Sequence, residues 1–294
     1  MKAIKRIDIL FLVYLVISTS ALILSWDSIA NFSRLLLIHG LILAFVVGLI
    51  FLSRLINNRL VSLLRDTYPI IFSGYFYSET VFYNKLLMSN IDPLLIKIEQ
   101  AIFGRQISLV FSQSMNNKLI SELMYFSYFS FYLLIAGFVL YLYFNKKTYF
   151  QAGVFQLSAS LYIFYLLFMI FPSEGPQFYF SSPDSQLPNA YVFNHVMSFI
   201  QSVGEQPTGA FPSSHVGISL IILMLSRRKA PVFYKYTCLL VILLMASTVY
   251  IKAHYAIDVI GGVIIAPFIL YLSNILYRFP SEKNEKFIKL DVHD

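Results

Sequence analysis

Long apolar runs separated by short polar segments dominate this chain. Six stretches hold few charges, and each approaches the roughly 20 apolar residues that a helix needs to cross a bilayer. They are residues 9–26, 35–52, 119–144, 150–171, 231–251 and 255–277. Two weaker candidates are 68–88, which contains Glu79 and Lys85, and the short stretch 213–225. The pattern predicts an all-α, polytopic membrane helix bundle with six to eight transmembrane helices.

Composition excludes most other protein classes. Hydrophobic residues make up 58% of the 294 residues and charged residues 13%, with a mean hydropathy of +0.70. Soluble domains carry about 25% charged residues, so neither a soluble domain nor a disordered, collagen-like or coiled-coil chain fits. The single cysteine, Cys238, excludes an intrachain disulfide and a cysteine zinc cluster. We expect one integral membrane domain over 1–278, with N-terminal helices in 1–60 and a core in 61–278, and a charged cytoplasmic tail in 279–294.

Basic residues predict the orientation in the membrane. The net charge of +7 could suggest nucleic acid in a soluble protein, but in a membrane protein Lys and Arg mark cytoplasmic loops, and no nucleic-acid partner is expected. They cluster before the first span, at 146–147, at 227–229 and in the tail. An even number of crossings then leaves segment 172–212 and the turn at 252–254 outside. This predicts a plasma (inner) membrane protein with an extracytoplasmic active site.

Segment 92–117 differs from the long apolar runs. Polar residues are spaced among Leu, Ile and Phe, so its hydrophobicity is only moderate. This pattern predicts amphipathic helices that lie in the membrane interface.

A histidine and an aspartate open the last apolar stretch. His254 and Asp258 are four residues apart, which places both on one face of a helix. A carboxylate beside an imidazole fixes its tautomer and raises the basicity of the other nitrogen, as a nucleophilic histidine needs. The alternative is a hydrogen-bonded pair that only satisfies two polar groups. Because polar residues at membrane depth are costly, a functional role is a reasonable hypothesis.

A second cluster opens the 213–225 stretch. Residues 209–215 read Gly-Ala-Phe-Pro-Ser-Ser-His. Pro212 can occupy a first helical turn, and the free N–H groups there, with the hydroxyls of Ser213 and Ser214, can bind phosphate. His215 could donate a proton to a leaving oxygen. A capping sequence with an incidental histidine is the alternative, but two such clusters on one membrane face favour phosphate chemistry.

The paired motifs resemble those of the type-2 phosphatidic acid phosphatase superfamily, which also includes vanadium haloperoxidases. The family's Pro-Ser-x-His motif matches 212–215, and its Ser-Arg-x5-His-x3-Asp motif matches 247–258. The resemblance, over about 65–277, implies a six-helix catalytic core and a phosphohistidine mechanism without a metal or other cofactor. The resemblance implies that His254 attacks phosphorus and that Asp258 orients the His254 ring. It also implies that His215 protonates the leaving group. Water or another alcohol would then accept the phosphoryl group.

The chain departs from the family pattern in two places. Thr248 replaces the arginine of the third motif, and the first motif, Lys-x6-Arg-Pro, has no full match. Lys252, Arg105 and Arg65 are the candidates to bind phosphate instead. The count of crossings places Arg65 on the cytoplasmic side, so it is either an anchor there or the count fails around 60–115.

Further segments resemble one branch of the superfamily. The stretch 65–69, Asp92-Pro93, Phe103-Gly104 and the prolines near 172–176 resemble the branch that includes inositol phosphorylceramide synthase. Residues 254–260 also resemble sphingomyelin synthases, which likewise lack the third-motif arginine. These enzymes move a phospho-headgroup between lipids.

Three functions remain open at this stage. The first is a membrane phosphatase that hydrolyses a phosphate ester or pyrophosphate of a phospholipid or polyprenyl lipid. The second is a phospho-headgroup transferase that uses a lipid alcohol as acceptor. The third is a transporter or other non-enzymatic membrane protein, which the lack of internal repeats disfavours. The expected partners are the lipid substrate and the bilayer, with no obligate protein partner.

Several other polar residues have a structural interpretation. We expect His39 and Glu79 to be buried with hydrogen-bond partners. Glu174 should shape the outer loop, and His195 and Glu205 should be solvated.

Overall fold

Helices form the regular structure of this computed structural model, which describes residues 4–181 and 189–279. The helices are α1 (Arg6–Leu24), α2 (Phe32–Leu55), α3 (Arg59–Glu79), α4 (Asp92–Phe103), α5 (Ile107–Ser114), α6 (Lys118–Asn145), α7 (Lys147–Ile170), α8 (Pro176–Tyr179), α9 (Phe193–Gly204), α10 (Ser214–Lys229), α11 (Pro231–Tyr250) and α12 (Ala256–Arg278). Short 3-10 turns follow α1 and α3. No strand occurs in these two ranges.

Six of these helices are long and apolar enough to cross a membrane: α1, α2, α6, α7, α11 and α12. They correspond to the six apolar stretches of the sequence, so the prediction of an all-α polytopic bundle is confirmed. The division into 1–60, 61–278 and a tail stays a prediction, and residues 280–294 of that tail lie outside the described residues.

The helix predicted over 68–88 lies earlier in the chain. α3 begins at Arg59, where the Asn58 side chain accepts a hydrogen bond from the Leu60 amide, and it ends at Glu79. The first half of α3 carries charges that lie outside the predicted span, and two of them are paired with residues at the start of α1. Arg65 contacts Asp8 at 2.5 Å, and Lys5 contacts Asp66 at 2.5 Å. These ion pairs allow charged residues inside a helix of the bundle.

The core of the bundle is built around α7. This helix packs against α1, α3, α6, α10 and α12, and its side chains Leu157, Phe164 and Phe168 are fully buried. α10 also packs against α11 and α12. The first turn of α10 and the start of α12, which hold the two sequence motifs, are therefore neighbours.

Two short helices, α4 and α5, lie within the segment predicted to be amphipathic. Leu94 and Ile102 of α4 are exposed, whereas Glu99 is fully buried. The Glu99 carboxylate accepts hydrogen bonds from the amides of Ile107, at 2.7 Å, and Ile257, at 3.3 Å. Glu99 therefore ties α4 to α5 and to the start of α12. The location of α4 and α5 in the membrane interface stays a prediction.

The approach of α12 to α10 depends on a glycine. A Cβ atom at Gly262 would lie 2.6 Å from the Ser213 carbonyl oxygen and 3.1 Å from Val216 Cβ. We expect Gly262→Ala to lower stability by about 1–3 kcal/mol, because the added methyl group would separate the two helices. The thermal midpoint in detergent measures this loss. The matched control is Gly48→Ala on the exposed face of α2, where no atom lies within 4 Å of the added Cβ; an equal loss in both variants would contradict the packing argument.

Candidate active site

The two motif histidines meet in the structure. His254 Nε2 lies 3.3 Å from His215 Nδ1, and the ring centroids are 5.5 Å apart. Both side chains are buried, and both line one pocket at the same end of the bundle. Residues 39 positions apart in sequence are thus brought together as the paired motifs predict, while their catalytic roles stay a prediction.

The pocket around the histidines is small and partly polar. The cavity between its walls is about 10 Å³, roughly the space of one water molecule, so a headgroup fits only when the walls move apart. Its walls are formed by Tyr77, Tyr128, Glu174, Gln177, Phe178, Glu205, Gln206, Thr208, Gly209, Ala210, His215, Ala253 and His254.

A backbone carbonyl orients His254. His254 Nδ1 lies 2.8 Å from the carbonyl oxygen of Ala210. Since a carbonyl oxygen only accepts hydrogen bonds, this contact requires the proton on Nδ1 and leaves the lone pair on Nε2. Nε2 is the nitrogen that faces His215. The sequence carried no signal for Ala210, because its contribution is a main-chain atom from the other motif.

Asp258 holds the loop that carries His254. Its Oδ2 lies 3.4 Å from His254 Nδ1 and accepts a hydrogen bond from the Tyr255 amide at 2.8 Å. Its main-chain carbonyl accepts from the Ser213 amide at 3.1 Å. Asp258 is therefore beside His254, although His254 lies in the turn before α12 and not on its helical face as the spacing predicts, and Ala210 is the closer acceptor. Asp258 also joins the two motifs.

Burial changes the acid–base behaviour of His254. The loss of solvent lowers the pKa of His254 to about 4, although the Ala210 carbonyl and nearby Glu205 act in the opposite direction. The imidazole is therefore unprotonated at neutral pH, as a nucleophile must be.

We expect the acid limb of kcat/KM, on which His254 gains its proton, to have its midpoint near pH 4. A lowered pKa means that His254 gains its proton, and the free enzyme loses its nucleophile, only as the pH falls through that value. The measurement is the acid limb of kcat/KM against pH. A midpoint near 6.5, the ordinary histidine value, would contradict the predicted effect of burial on His254.

His215 lies in the first turn of α10 between aromatic rings. Tyr128 stacks on its imidazole at 4.7 Å between centroids, and Phe131 packs against it at 4.4 Å. The N-cap is Ser213, whose hydroxyl accepts from the Val216 amide at 3.4 Å. Pro212 therefore precedes the helix instead of occupying its first turn.

The predicted phosphate-binding serines are not part of the pocket wall. Ser213 is fully buried and its hydroxyl caps α10, and Ser214 is 6% exposed. Neither side chain lines the pocket between the histidines. The two serines shape the helix start that carries His215.

The end of α3 holds the loop that contains Ala210. Thr208 Oγ1 accepts from Asn84 Nδ2 at 2.9 Å and contacts Thr80 Oγ1 at 3.1 Å. Tyr77 donates from its hydroxyl to the Thr208 carbonyl at 3.3 Å. These contacts fix the main chain two residues before Ala210.

A family model described as the PAP2 superfamily matches residues 94–272, which is well over half of the chain and includes both histidines. The chain belongs to the PAP2 superfamily. A PA-phosphatase related-family protein of Dictyostelium discoideum is 22% identical over 214 residues, which are 65% of this chain and 38% of that relative. The chain thus spans little more than a third of the curated relative's length. No solved structure gives a significant match.

The resemblance to PAP2 enzymes inferred from the two motifs is therefore confirmed. The family membership supports a phosphatase-type function on lipid phosphates. The closer resemblance to the inositol phosphorylceramide synthase branch stays a prediction.

The position of the third-motif arginine carries no charge in this PAP2 protein. Thr248 is fully buried, and its hydroxyl donates to the Met245 carbonyl within the same helix at 2.8 Å. Its own carbonyl accepts from the His254 amide at 3.0 Å. Thr248 therefore supports the main chain of His254 and offers no cation to phosphate.

The three basic residues proposed to replace that arginine do not line the pocket. Arg65 pairs with Asp8 about three helical turns, or roughly 18 Å, before Tyr77 on α3, so it lies toward the opposite end of the bundle. Arg105 is exposed in the turn between α4 and α5. Lys252 is 2% exposed in a left-handed backbone conformation, with φ of 62°, and its carbonyl accepts from the Gln177 amide at 3.0 Å. Arg65 is paired with Asp8 and does not line the pocket, so a role of Arg65 in binding phosphate stays a prediction.

Glu205 lies in the pocket wall and is not simply solvated. Its Oε1 accepts from the Tyr128 hydroxyl at 2.8 Å, and its Oε2 accepts from Gln177 Nε2 at 2.8 Å. No sequence pattern predicts this position, because Glu205 follows α9 in an irregular polar segment with no motif. The prediction that it is solvated is corrected.

Asp92 is a further residue that supports the site. Its carboxylate accepts from the amides of Glu174 and Gly175, at 2.7 and 2.9 Å, and from the Tyr255 hydroxyl at 2.9 Å. Burial raises the pKa of Asp92, and these hydrogen bonds oppose that rise. Asp92 thereby joins the segment before α8 to the residue next to His254.

Proposed function

We propose that this protein is a membrane enzyme that cleaves a phosphate ester of a lipid through a covalent phosphohistidine at His254. The observation that carries the proposal is the pair of buried imidazoles in one pocket, with the His254 lone pair directed at His215. Membership of the PAP2 superfamily supports the same chemistry.

In the first step, His254 Nε2 attacks phosphorus. The N–P bond forms as the bond between phosphorus and the lipid oxygen breaks. His215 gives its proton to that oxygen, which leaves as a neutral lipid alcohol. Ala210 and Asp258 stabilise the positive charge that develops on the His254 ring, because both place an oxygen near Nδ1.

In the second step, water attacks the phosphoryl group. His215, now unprotonated, takes a proton from the water as the new P–O bond forms. The N–P bond breaks, and its electrons return to Nε2. This restores both histidines, so one lipid alcohol and one phosphate are released for each water consumed. No metal ion is needed to supply the nucleophile or the acid.

The geometry places one requirement on this cycle. At 3.3 Å the two nitrogens are in direct contact, so a phosphoryl group fits between them only when the rings move apart. His254 is tied to Ala210 and lies beside Asp258, whereas His215 contacts Tyr128 and Phe131 through ring faces. Rotation of His215 along these faces opens the site.

The site lies at the end of the bundle that orientation by basic residues assigns to the extracytoplasmic side of the plasma (inner) membrane. Near this site, α4 contacts the start of α12 through Glu99 and exposes apolar side chains such as Leu94 and Ile102. A lipid can remain in the bilayer while only its headgroup reaches the histidines. Phosphatidate-type and polyprenyl phosphate-type lipids both have this form.

A second candidate is transfer of the headgroup phosphate to a lipid alcohol. The observation that favours it is the missing cation: Thr248 replaces arginine, and no Arg or Lys is among the described residues of the pocket wall. A site without a cation suits a phosphoryl group that still carries a headgroup, because such a group has less negative charge than a phosphomonoester. A lipid hydroxyl would then replace water in the second step.

Vesicles that contain the purified protein and a ³²P-labelled lipid mixture, with EDTA present, test the proposal. Hydrolysis moves label into water-soluble phosphate, while transfer moves it into a second lipid. An alkaline quench should trap labelled protein whose label is released by acid, as expected for phosphohistidine. No turnover and no labelled protein would overturn both candidates, and turnover without labelled His254 would overturn the covalent mechanism.

A further inference from the structure

A second cavity lies at the end of the bundle opposite the histidines. It measures about 430 Å³ and is formed where α3 begins, α6 ends and α7 begins. Arg59 of α3 lines it, and about 27 Å of helix separates Arg59 from Tyr77, which lines the histidine pocket. Ligand sites enclose roughly 300–1,000 Å³, so this cavity has room for a ligand without any movement of its walls.

Two cationic side chains line the second cavity from different helices. Arg59 begins α3, and Lys147 begins α7. The ion pairs and side-chain hydrogen bonds within residues 4–181 and 189–279 include neither of these side chains. Asp66 supplies a carboxylate to the same wall, but that carboxylate is in contact with Lys5 at 2.5 Å. The described wall therefore has a positive charge that is available to an anion.

Neutral polar groups lie beside the two cations. Asn58, Ser62 and Gln151 line the same cavity. The Asn58 side-chain oxygen accepts from the Leu60 amide at 2.7 Å, which leaves its NH2 group as a donor. The positive dipole ends of α3 and α7 are both at this cavity, and they add to the attraction for an anion. Charged and neutral donors together suit a phosphate group.

Apolar side chains border this polar wall. Tyr143 and Phe150 line the cavity and pack edge to face, with 5.3 Å between ring centroids. Ile56, Leu60 and Phe144, which are sequence neighbours of wall residues, are 45%, 72% and 68% exposed. A free phosphate ion would use only the polar groups, whereas a phospholipid would also cover the exposed apolar side chains next to its headgroup. The combination therefore favours a lipid as the occupant.

We propose that the second cavity binds the headgroup of an anionic phospholipid, in the leaflet opposite the histidine pocket. Arg59 and Lys147 hold its phosphate, and its acyl chains lie along Ile56, Leu60 and Phe144. Basic residues assign this end of the bundle to the cytoplasm, where basic pockets between membrane helices bind anionic headgroups. This lipid is bound and not cleaved, because both histidines line the other pocket. The inference does not depend on the chemistry of His254.

Photocrosslinking in nanodiscs tests the second lipid site. The full chain is placed in phosphatidylcholine with a trace of phosphatidylglycerol that carries a diazirine near the glycerol end of one acyl chain. We expect labelling of segments 55–63 and 143–151 to exceed that from the phosphatidylcholine analogue by at least about fivefold, since each cation near the membrane surface attracts an anionic lipid by roughly that factor. Equal labelling by the two lipids, or labelling only around the histidines, would overturn the proposal.

A double variant tests the two cations. Arg59→Gln with Lys147→Gln should lower the labelling by phosphatidylglycerol by at least about fivefold. The matched control is Arg228→Gln with Lys235→Gln, which removes two exposed cations near the connection of α10 and α11 at the same end of the bundle. Labelling should be unchanged in the control. Equal losses in both double variants would show attraction by general surface charge and would overturn the site.

Inorganic phosphate distinguishes the lipid from a free anion, and this measurement uses the unmodified protein. At equal ionic strength, phosphate should reduce labelling by phosphatidylglycerol no more than sodium chloride does. A loss specific to phosphate would assign the cavity to the free ion and overturn the lipid as its occupant. The assay needs no turnover, so failure of the proposed function would leave its outcome unchanged.

Discussion

His254→Ala should abolish turnover of lipid phosphate esters, with a loss in kcat of at least about 10⁴-fold. The side chain supplies the only protein atom that bonds to phosphorus in the proposed mechanism, and its Nε2 lone pair is directed by the hydrogen bond from Nδ1 to Ala210. A water molecule in the space left by the ring would lack both the nucleophilicity and the fixed position. The variant should also yield no acid-labile labelled protein after an alkaline quench.

His195→Ala is the matched control for this variant. His195 belongs to the exposed surface of α9 on the same end of the bundle, and it does not line the pocket. Activity should stay within about twofold of the unmodified protein, as is usual for surface changes. If His254→Ala retains activity and labelling, the covalent role of His254 is wrong, whatever the control does.

Most of the fold could be predicted because membrane helices follow one simple rule. A backbone in hydrocarbon must satisfy its own hydrogen bonds, so each long apolar stretch becomes a helix. The first half of α3 lies outside the predicted stretch 68–88, because Arg65 and Asp66 interrupt the apolar pattern there. Their charges are compensated by Asp8 and Lys5 of the first helix, and such a pairing across about 60 residues has no sequence pattern.

The candidate site was predictable only where chemistry is carried by side chains in a fixed local spacing. His254 and Asp258 are four residues apart in sequence, and His215 follows a recognisable proline and two serines. Ala210 contributes through its carbonyl, so any residue type there would have the same acceptor. Glu205 and Asp92 reach the site through tertiary contacts from segments that the motifs do not include.

The basic residues illustrate a related difficulty. Lys252 is two residues from His254, and the sequence analysis names it as a candidate to bind phosphate in place of the missing arginine. The turn instead places Lys252 in a left-handed conformation with a buried side chain, and the pocket wall is formed by its neighbour Ala253. In a turn of this kind, adjacent side chains point in different directions, so proximity along the chain does not predict proximity in the site.

His215→Ala should reduce activity in a way that depends on the leaving group. With an alkyl phosphate ester, loss of the general acid should lower kcat/KM by about 10²–10⁴-fold, because an alkoxide leaves poorly without a proton. With the matching p-nitrophenyl ester, whose leaving group is stable as an anion, the loss should be less than about tenfold. The measurement is the ratio of kcat/KM for the two esters in the variant and in the unmodified protein.

Tyr128→Phe separates this role from a general disturbance of the pocket. The substitution keeps the ring that stacks on His215 and removes only the hydroxyl that donates to Glu205. Any loss should then be the same for the alkyl and the p-nitrophenyl ester, because proton donation by His215 remains. Equal losses for the two esters in His215→Ala would show that His215 does not protonate the leaving oxygen. The reaction would then need its acid from elsewhere in the pocket, and Glu205, held beside His215 by Tyr128, would be the nearest carboxyl group with which to repeat the test.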